Sequence, residues 1–227
     1  MPFLTKLMQD EQKVASYSFI HSIATSLGMS VYEDVSLIVA KPHSENVDKK
    51  VDMNGTISKE QKSVIASIVT ELVNGTRKVN KDTETKEVLK ASSRGGRPQE
   101  HGKIADFFMK RDGKEYYIEI KTVKPNIDVF EESKTKLLEW IARKQGPIIT
   151  ILAFPYNPYH PEPYNRFTHR GVLESEKEFL IGEDYWDFLG GKGTFKDLMI
   201  VFDEVGKELH RDIMAKIDEV AKTKMKL

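Results

Sequence analysis

The dipeptide Asp112-Gly113 joins two strand-like stretches, residues 103–111 and 114–122. Between two such stretches an Asp-Gly pair favours a two-residue type I′ turn, because both turn positions need positive φ and these residues tolerate it. The turn fixes the pairing of the strands: Arg111 faces Lys114, and each further pair keeps the same sum of residue numbers. The sequence therefore predicts an antiparallel hairpin of defined register.

The predicted hairpin has one apolar face and one charged face, since side chains alternate between the two faces of a strand. The charged face sets Asp106 opposite Glu119 and places Lys121 beside them. The apolar face is a layer that requires burial, formed by Ala105, Phe107, Met109, Tyr116, Ile118 and Ile120. The hairpin is therefore expected to pack on a core through one face and to carry charge on the other.

Two directly opposed carboxylates have Cβ atoms roughly 4.5–5.5 Å apart and repel each other. A raised pKa of one carboxyl group or the Lys121 ammonium can offset the repulsion between Asp106 and Glu119. A divalent cation also offsets it and creates a Lewis acid. Oxygen ligands suit Mg²⁺, which takes only one or two protein carboxylates and keeps several waters. We therefore predict a Mg²⁺ site at Asp106 and Glu119, with the Ile120 carbonyl as a candidate third ligand.

The predicted centre has the components of a metal-dependent nuclease. A metal at Asp106 and Glu119 would activate a water and stabilise the charge of a phosphorane-like transition state. Lys121 is the predicted catalytic lysine, whose ammonium orients the attacking water or neutralises the scissile phosphate. The alternative is a solvated sheet face, because an acid two residues before a lysine recurs in this chain, for example at Glu11 and Glu132.

Length and composition limit the class of protein. The chain has 227 residues, enough for one large domain or two small ones. We expect a single endonuclease domain, 1–227, with a mainly helical part at 1–92, a catalytic core at 93–206 and a C-terminal helix at 207–227. The 35 basic and 35 acidic residues balance, so DNA contacts would depend on local patches. The sequence has no cysteine, no apolar segment as long as a membrane span and no apolar core of a signal peptide. We therefore expect a soluble cytoplasmic protein.

The rest of the chain predicts a mixed α/β (α+β) fold, in which helices flank a central mixed sheet. Ser58 and Gln61 have the spacing of a capping box, and Gly28 is placed to end the first long helix. Residues 41–55 are expected to form a surface loop. The predicted helices are 10–27, 58–73, 80–91, 129–144, 184–189, 194–205 and 207–222, and the further strands are 148–154 and 179–181.

Basic and polar side chains on either side of the hairpin are candidates for DNA contact. The upstream loop combines arginines, which suit phosphate, with glycines that allow close backbone approach; a flexible solvated loop is the alternative. The candidates for backbone contact are Arg94, Arg97, Lys103, Lys124, Asn126 and Lys134. The candidate base readers are Arg143, Arg166 and Arg170, because arginine pairs bidentately with guanine. Glu71 is a candidate ligand for a second ion, but a solvated helix residue is the favoured interpretation, because glutamate side chains are mostly exposed.

The hairpin resembles the catalytic motif of the PD-(D/E)XK nuclease superfamily. Ile104-Ala105-Asp106 corresponds to the first acid of that motif, and Glu119-Ile120-Lys121 to its second acid and its lysine. Ala105 stands where the superfamily usually has proline, a departure that leaves the chemistry intact. Further segments are similar to TdeIII-like type II restriction endonucleases: Thr122-Val123-Lys124-Pro125-Asn126, Leu137-Leu138-Glu139-Trp140, Tyr185-Trp186-Asp187-Phe188 and Gly190-Gly191.

This resemblance implies a type II restriction endonuclease with a restriction-endonuclease-like core. Such an enzyme uses Mg²⁺ to cleave both strands of DNA at a short palindromic site and leaves 5′-phosphate and 3′-hydroxyl ends. The narrower group implies an interrupted site such as GGNCC. A palindrome read by identical subunits implies a two-fold homodimer. The alternatives are a structure-specific repair or junction-resolving nuclease, and a noncatalytic nucleic-acid-binding protein with the same fold.

Overall fold

The computed structural model describes residues 2–122, 126–164, 171–175 and 177–223. Its internal contacts divide the chain into two compact units. One unit runs up to Tyr32 and resumes from Phe195, and the other spans Glu33–Thr194. The predicted hairpin lies wholly within the second unit. The single-domain organisation of the chain stays a prediction.

The first unit is helical. It contains α1 (Pro2–Met8), α2 (Glu11–Ser26) and, from Phe195 on, the C-terminal helix α8 (Thr194–Thr223). Asp10 caps α2 by accepting a hydrogen bond from the Lys13 N–H at 3.0 Å. The prediction that Gly28 ends this helix is wrong, because a π-helical turn (Leu27–Val31) continues the helical hydrogen bonding into α3 (Tyr32–Ala40).

The second unit is built on a sheet that has five strands within the described residues, in the order β1-β4-β5-β6-β7. The first three are mutually antiparallel, whereas β6 pairs parallel with β5 and with β7. The strands are β1 (Asn46–Asp52), β4 (Ile104–Arg111), β5 (Lys114–Ile120), β6 (Ile149–Phe154) and β7 (Phe179–Ile181). A separate ribbon pairs β2 (Thr56–Ile57) with β3 (Arg97–Pro98).

The helices of the second unit pack around this sheet. They are α3, α4 (Lys59–Val73), α5 (Lys81–Lys90), α6 (Ile127–Lys144) and α7 (Glu183–Gly190). A mixed sheet flanked by helices confirms the predicted fold class and is consistent with a restriction-endonuclease-like core. Among the described residues, none of the helices combines the length and the apolarity needed to cross a bilayer.

The structure confirms the predicted hairpin. Asp112 and Gly113 have φ values of 51° and 69°, as a type I′ turn requires. The register begins with Arg111 opposite Lys114 and runs to Phe107 opposite Ile118. The predicted apolar layer is buried except for Tyr116, which is partly exposed. Ala105, Phe107, Met109 and Ile118 are fully buried, and Ile120 is 9% exposed.

The other face of the hairpin was expected only to carry charge, and this expectation is wrong in part, because that face also packs against α6. A core cluster joins Phe108 and Tyr117 of the hairpin to Leu137 and Trp140 of α6 and to Leu152 of β6. Because α6 is amphipathic and lies across the sheet, its position decides which of its polar side chains reach the charged end of the hairpin.

Most of the other predicted elements are confirmed. Ser58 and Gln61 form the capping box of α4, with the Gln61 N–H donating to Ser58 Oγ at 3.0 Å and the Ser58 N–H to Gln61 Oε1 at 3.1 Å. The structure contains all of the predicted helices after Ser58 and both further strands, β6 and β7. The two predicted terminal helices are one continuous helix, α8, because Gly206 does not interrupt it.

The predicted surface loop at 41–55 is wrong. It contains the strand β1, which pairs with β4 along an edge of the sheet. The β1 sequence NVDKKVD has only two apolar residues, Val47 and Val51. Strands at sheet edges commonly carry charged side chains, which prevent further strand pairing, and such a strand lacks the apolar pattern of a buried one.

Candidate active site

The carboxylate of Asp106 is fixed by the strand next to it. Beyond the Phe107–Ile118 pair, the Asp106 Oδ2 accepts a hydrogen bond from the Ile120 N–H at 2.8 Å. The Asp106 side chain on β4 thus binds the backbone of β5 at Ile120, the residue between Glu119 and Lys121. This contact orients Asp106 toward the predicted centre.

Glu119 is almost completely buried, at 2% exposure. Its Oε1 lies 2.8 Å from the Lys121 ammonium, and its Oε2 accepts a hydrogen bond from the Lys136 ammonium of α6. The structure therefore brings Asp106, Glu119 and Lys121 together and adds a second lysine to them. Two carboxylates and two ammonium groups make this charged centre formally neutral.

Burial and the negative charge of Glu119 raise the pKa of Asp106 to about 6, against the opposing effects of the Ile120 N–H and the Lys136 charge. Burial lowers the pKa of Lys121, but the charge and hydrogen bond of Glu119, together with the charges of Asp106 and Glu132, outweigh it, and the net pKa lies above the ordinary value for lysine. Both compensations considered for opposed carboxylates, a raised pKa and a neighbouring ammonium, are therefore present. The raised pKa keeps Lys121 cationic, which suits neutralisation of a phosphate.

The donor set fits Mg²⁺ without being a complete protein cage. In the described ranges, no three His, Asp or Glu side chains converge closely enough to hold a metal ion. Asp106 and Glu119 supply carboxylate oxygens, which match an ion that takes one or two protein carboxylates and keeps its waters. Such an ion would provide Lewis acidity and a reactive water. The Ile120 carbonyl stays a predicted ligand.

Lys136 was not predicted from the sequence. Its ammonium lies 5.2 Å from the centroid of the Trp140 ring, one helical turn further along α6. The indole N–H of Trp140 donates to the Gly102 carbonyl at 2.7 Å. The stem of Lys136 also lies close to Gly102: if this glycine carried a side chain, its Cβ would be 3.7 Å from Lys136 Cγ. The spacing of Lys136 and Trp140 was a signal for this pair, but the contact with Glu119 depends on how α6 packs on the sheet.

Glu33 is a second acid that sequence reasoning missed. It lies in the first turn of α3 and is 7% exposed. Its Oε2 has no hydrogen-bond partner among the described residues, and the Lys50 ammonium is 3.8 Å away. The charge of Glu33 also contributes to raising the pKa of Asp106. Glu33 therefore adds negative potential to the centre from the side of β1.

The loop before the hairpin is held against α6. The Arg143 guanidinium donates to the carbonyls of Gln99 and His101 at 2.8 and 2.9 Å. Arg143 is only 5% exposed, so the prediction that it reads bases is wrong: its two terminal guanidinium nitrogens bind the loop. Arg166 and Arg170, the other candidate base readers, lie outside the described residues.

The candidates for DNA-backbone contact have different environments. Arg94 and Arg97 are exposed. Lys103 is paired with Asp52 at 3.2 Å and with Glu100 at 2.8 Å. The Asn126 side chain caps α6 by accepting from the Val129 N–H at 3.0 Å, and Lys124 lies outside the described residues. The DNA contacts of these five residues stay predictions.

Lys134 has no access to DNA, so this prediction is wrong. Its side chain is completely buried, 2.6 Å from Glu84 and hydrogen-bonded to Glu178. Lys81 lies 3.8 Å from the second oxygen of Glu178. The four side chains form a formally neutral buried cluster, which links α5 and α6 to the segment before β7. Glu71, the candidate ligand for a second ion, accepts hydrogen bonds from Ser67 and Arg77 at 2.8 and 3.1 Å.

The fold and the charged end of the hairpin together define a nuclease with a restriction-endonuclease-like core. A family model described as "Type II restriction endonuclease, HinfI" matches residues 1–206. The chain belongs to this family of type II restriction endonucleases and is a site-specific deoxyribonuclease. The prediction of a type II restriction endonuclease is thus confirmed, and the likeness to the TdeIII-like group stays a prediction.

Curated relatives carry the same designation. The type II restriction enzyme HgiCII of Herpetosiphon aurantiacus is 27% identical over 206 residues, which cover 88% of this chain and 75% of that enzyme. MjaII of Methanocaldococcus jannaschii is also 27% identical over 206 residues, covering 83% of this chain and 54% of that enzyme. HgiEI of Herpetosiphon aurantiacus is 24% identical over 206 residues, with 88% and 75% covered.

Proposed function

We propose that this chain is a Mg²⁺-dependent endonuclease that hydrolyses phosphodiester bonds of double-stranded DNA in the cytoplasm, at a short palindromic site. Asp106 and Glu119 hold the metal, and Lys121 is the catalytic lysine. The observation that carries the proposal is the hydrogen bond from the Ile120 N–H to Asp106, at 2.8 Å, which fixes one carboxylate beside the strand that bears Glu119 and Lys121. A bound Mg²⁺ would supply Lewis acidity and lower the pKa of a water.

The protein side chains have separate tasks in this reaction. Asp106 and Glu119 set the position of the metal, and the backbone hydrogen bond keeps Asp106 from turning away. The Ile120 carbonyl, at the end of the same strand, is the proposed third ligand. Lys121, kept cationic by Glu119, neutralises the scissile phosphate as charge develops on it.

DNA would be held by basic and polar groups near the hairpin, namely Arg94, Arg97, Lys103, Lys124 and Asn126. Arg94 and Arg97 are both exposed: Arg94 lies in the turn before β3, and Arg97 lies in β3 itself. The guanidinium group binds phosphate bidentately, and phosphate contacts position the protein without reading sequence. The proposed recognition site is GGNCC-like, which rests on the resemblance of the sequence alone.

A homodimer is part of the proposal, because a palindrome presents two identical half-sites. The helix α8 offers an apolar surface for subunit contact. Met199, Ile200, Val201, Val205 and Leu209 are between 43% and 51% exposed. Sedimentation of the protein with and without DNA measures the assembly, and a monomer under both conditions would contradict this part of the proposal.

The decisive experiment is digestion of unmodified plasmid DNA, followed by sequencing of the ends. We expect discrete fragments with Mg²⁺, none with EDTA, and loss of cleavage in Asp106→Asn while the far-UV circular dichroism spectrum is unchanged. A variant that cuts at the parental rate would refute the assignment of Asp106. Preferential cutting of branched or damaged DNA would instead indicate a structure-specific nuclease.

A further inference from the structure

Lys136 is bound to Glu119, and we propose that it competes with the catalytic metal for this carboxylate and thereby sets the metal affinity of the enzyme. The inference rests on the proposed function, because it assumes that Glu119 is a metal ligand. Lys136 then acts as a positioning residue. It holds Glu119 in place before the metal arrives and moves aside when the metal binds.

The two oxygens of Glu119 each have a cationic partner. Lys121 lies 2.8 Å from Oε1, and Lys136 binds Oε2. Since Glu119 is 2% exposed, little room is left at the carboxylate for a third cation. A metal that binds Glu119 must therefore take the place of an ammonium group. Lys121 is attached to the same strand as Glu119, whereas Lys136 approaches from α6.

Lys136 has a second environment available. It lines a cavity of about 420 Å³ beside the hairpin, whose wall also includes Asp128, Glu131, Glu132 and Glu139. Glu132 is four residues before Lys136 on α6 and Glu139 three residues after it, so both lie on the same helical face as Lys136. A displaced ammonium would thus find carboxylates in the wall of this cavity.

The acidic wall of this cavity has no other evident role in the reaction. Four carboxylates repel a DNA backbone, so the cavity is a poor site for phosphate. The Lys136 ammonium also lies 5.2 Å from the centroid of the Trp140 ring. Lys136 would leave Glu119 for Glu132 or Glu139 as the metal takes Oε2.

This exchange predicts effects of opposite sign for the two kinds of variant. Removing the Lys136 charge leaves Glu119 Oε2 open, so the metal should bind more tightly. The expected gain is on the order of tenfold, the effect of one unit charge on a divalent ion roughly 6 Å away in a solvent-like dielectric. Removing the charges of Glu132 and Glu139 takes from the displaced ammonium its two carboxylate partners on the same helical face, so the metal should bind more weakly.

The test is calorimetric titration of the full chain with Mn²⁺ in the absence of DNA. Lys136→Met should bind Mn²⁺ about tenfold more tightly than the parent, and Lys136→Arg should stay close to it because the charge is kept. The double variant Glu132→Gln/Glu139→Gln should bind several-fold more weakly. Lys144→Met is the matched control: Lys144 lies on the same helix, 5.1 Å from the Tyr117 ring, and its loss should leave Mn²⁺ binding unchanged.

A second readout is the Mg²⁺ concentration for half-maximal plasmid cleavage, which should fall in Lys136→Met and rise in the double variant. Unchanged or weaker Mn²⁺ binding by Lys136→Met would overturn the inference. A changed melting temperature of the same variant would then show that the role of Lys136 is purely structural. A parent protein whose Mn²⁺ binding does not depend on Asp106 or Glu119 would instead refute the proposed function. The two failures are therefore distinguishable.

Discussion

Replacing Asp106 with Asn should stabilise the metal-free protein while it abolishes cleavage. The Asn side chain keeps an oxygen that accepts the hydrogen bond of the Ile120 N–H. What it removes is a negative charge that burial and Glu119 disfavour. Functional centres commonly hold such unfavourable charges, and their neutralisation raises stability at the expense of activity.

The expected gain depends on pH. In the folded protein the pKa of Asp106 is raised from 3.8 to about 6, which corresponds to about 3 kcal/mol when the group is ionised. Well below pH 3.8 the carboxyl group is protonated in both the folded and the unfolded chain, and ionisation of Asp106 does not destabilise the parent. The destabilisation appears as pH rises through the interval between these pKa values and is complete at about one pH unit above 6. The variant should therefore gain about 1 to 3 kcal/mol at pH 7.5 and almost nothing at pH 4.

Urea unfolding in EDTA at several pH values measures this difference. The control is Asp48→Asn, which removes an exposed carboxylate from the neighbouring strand β1 and should leave the free energy of unfolding within about 0.5 kcal/mol of the parent. A variant of Asp106 that is no more stable than the parent at pH 7.5, or whose gain does not depend on pH, would refute the electrostatic account of the centre.

Three further variants test other parts of the structure. Lys134→Met removes the lysine that Glu84 and Glu178 share in the buried cluster and should lower the free energy of unfolding by about 3–5 kcal/mol; a loss below 1 kcal/mol in urea unfolding would contradict the buried cluster. Glu33→Gln should stabilise the metal-free protein at pH 8 more than at pH 4, because burial raises the pKa of this carboxyl group. If the melting temperature of the variant differs from that of the parent by the same amount at both pH values, this explanation is wrong. Replacing Arg94 and Arg97 with Gln should reduce the slope of log affinity against log salt by about 2 in DNA-binding titrations, whereas an unchanged slope would place both side chains away from the phosphates.

The hairpin was predictable because its determinants are local. The turn dipeptide fixes the register, and the alternation of side chains assigns the faces, so the sequence alone placed Asp106 near Glu119 and Lys121. The capping box at Ser58 and the helical pattern of α6 likewise depend on residues that are close together in the sequence. Whether these side chains bind a metal depends on an ion that the sequence only implies.

The sequence could not assign the polar residues of α6. Lys134 and Lys136 are two residues apart on one helix, but Lys134 is buried between acids from α5 and from the segment before β7, whereas Lys136 reaches Glu119. These partners are distant in sequence, and only the packing of α6 selects them. For the same reason β1 was missed: its charged edge-strand sequence gives no apolar pattern, and it is stabilised by pairing with a strand that follows about fifty residues later in the chain.

The most direct measurement of the central claim compares Glu119→Gln with Glu115→Gln in plasmid cleavage with Mg²⁺. Both substitutions remove one charge from β5, but only Glu119 is bound by Lys121 and Lys136. The account predicts that Glu119→Gln loses cleavage by on the order of a thousandfold or more, while Glu115→Gln cuts both strands at nearly the parental rate. Parental cleavage by a folded Glu119→Gln protein would contradict it.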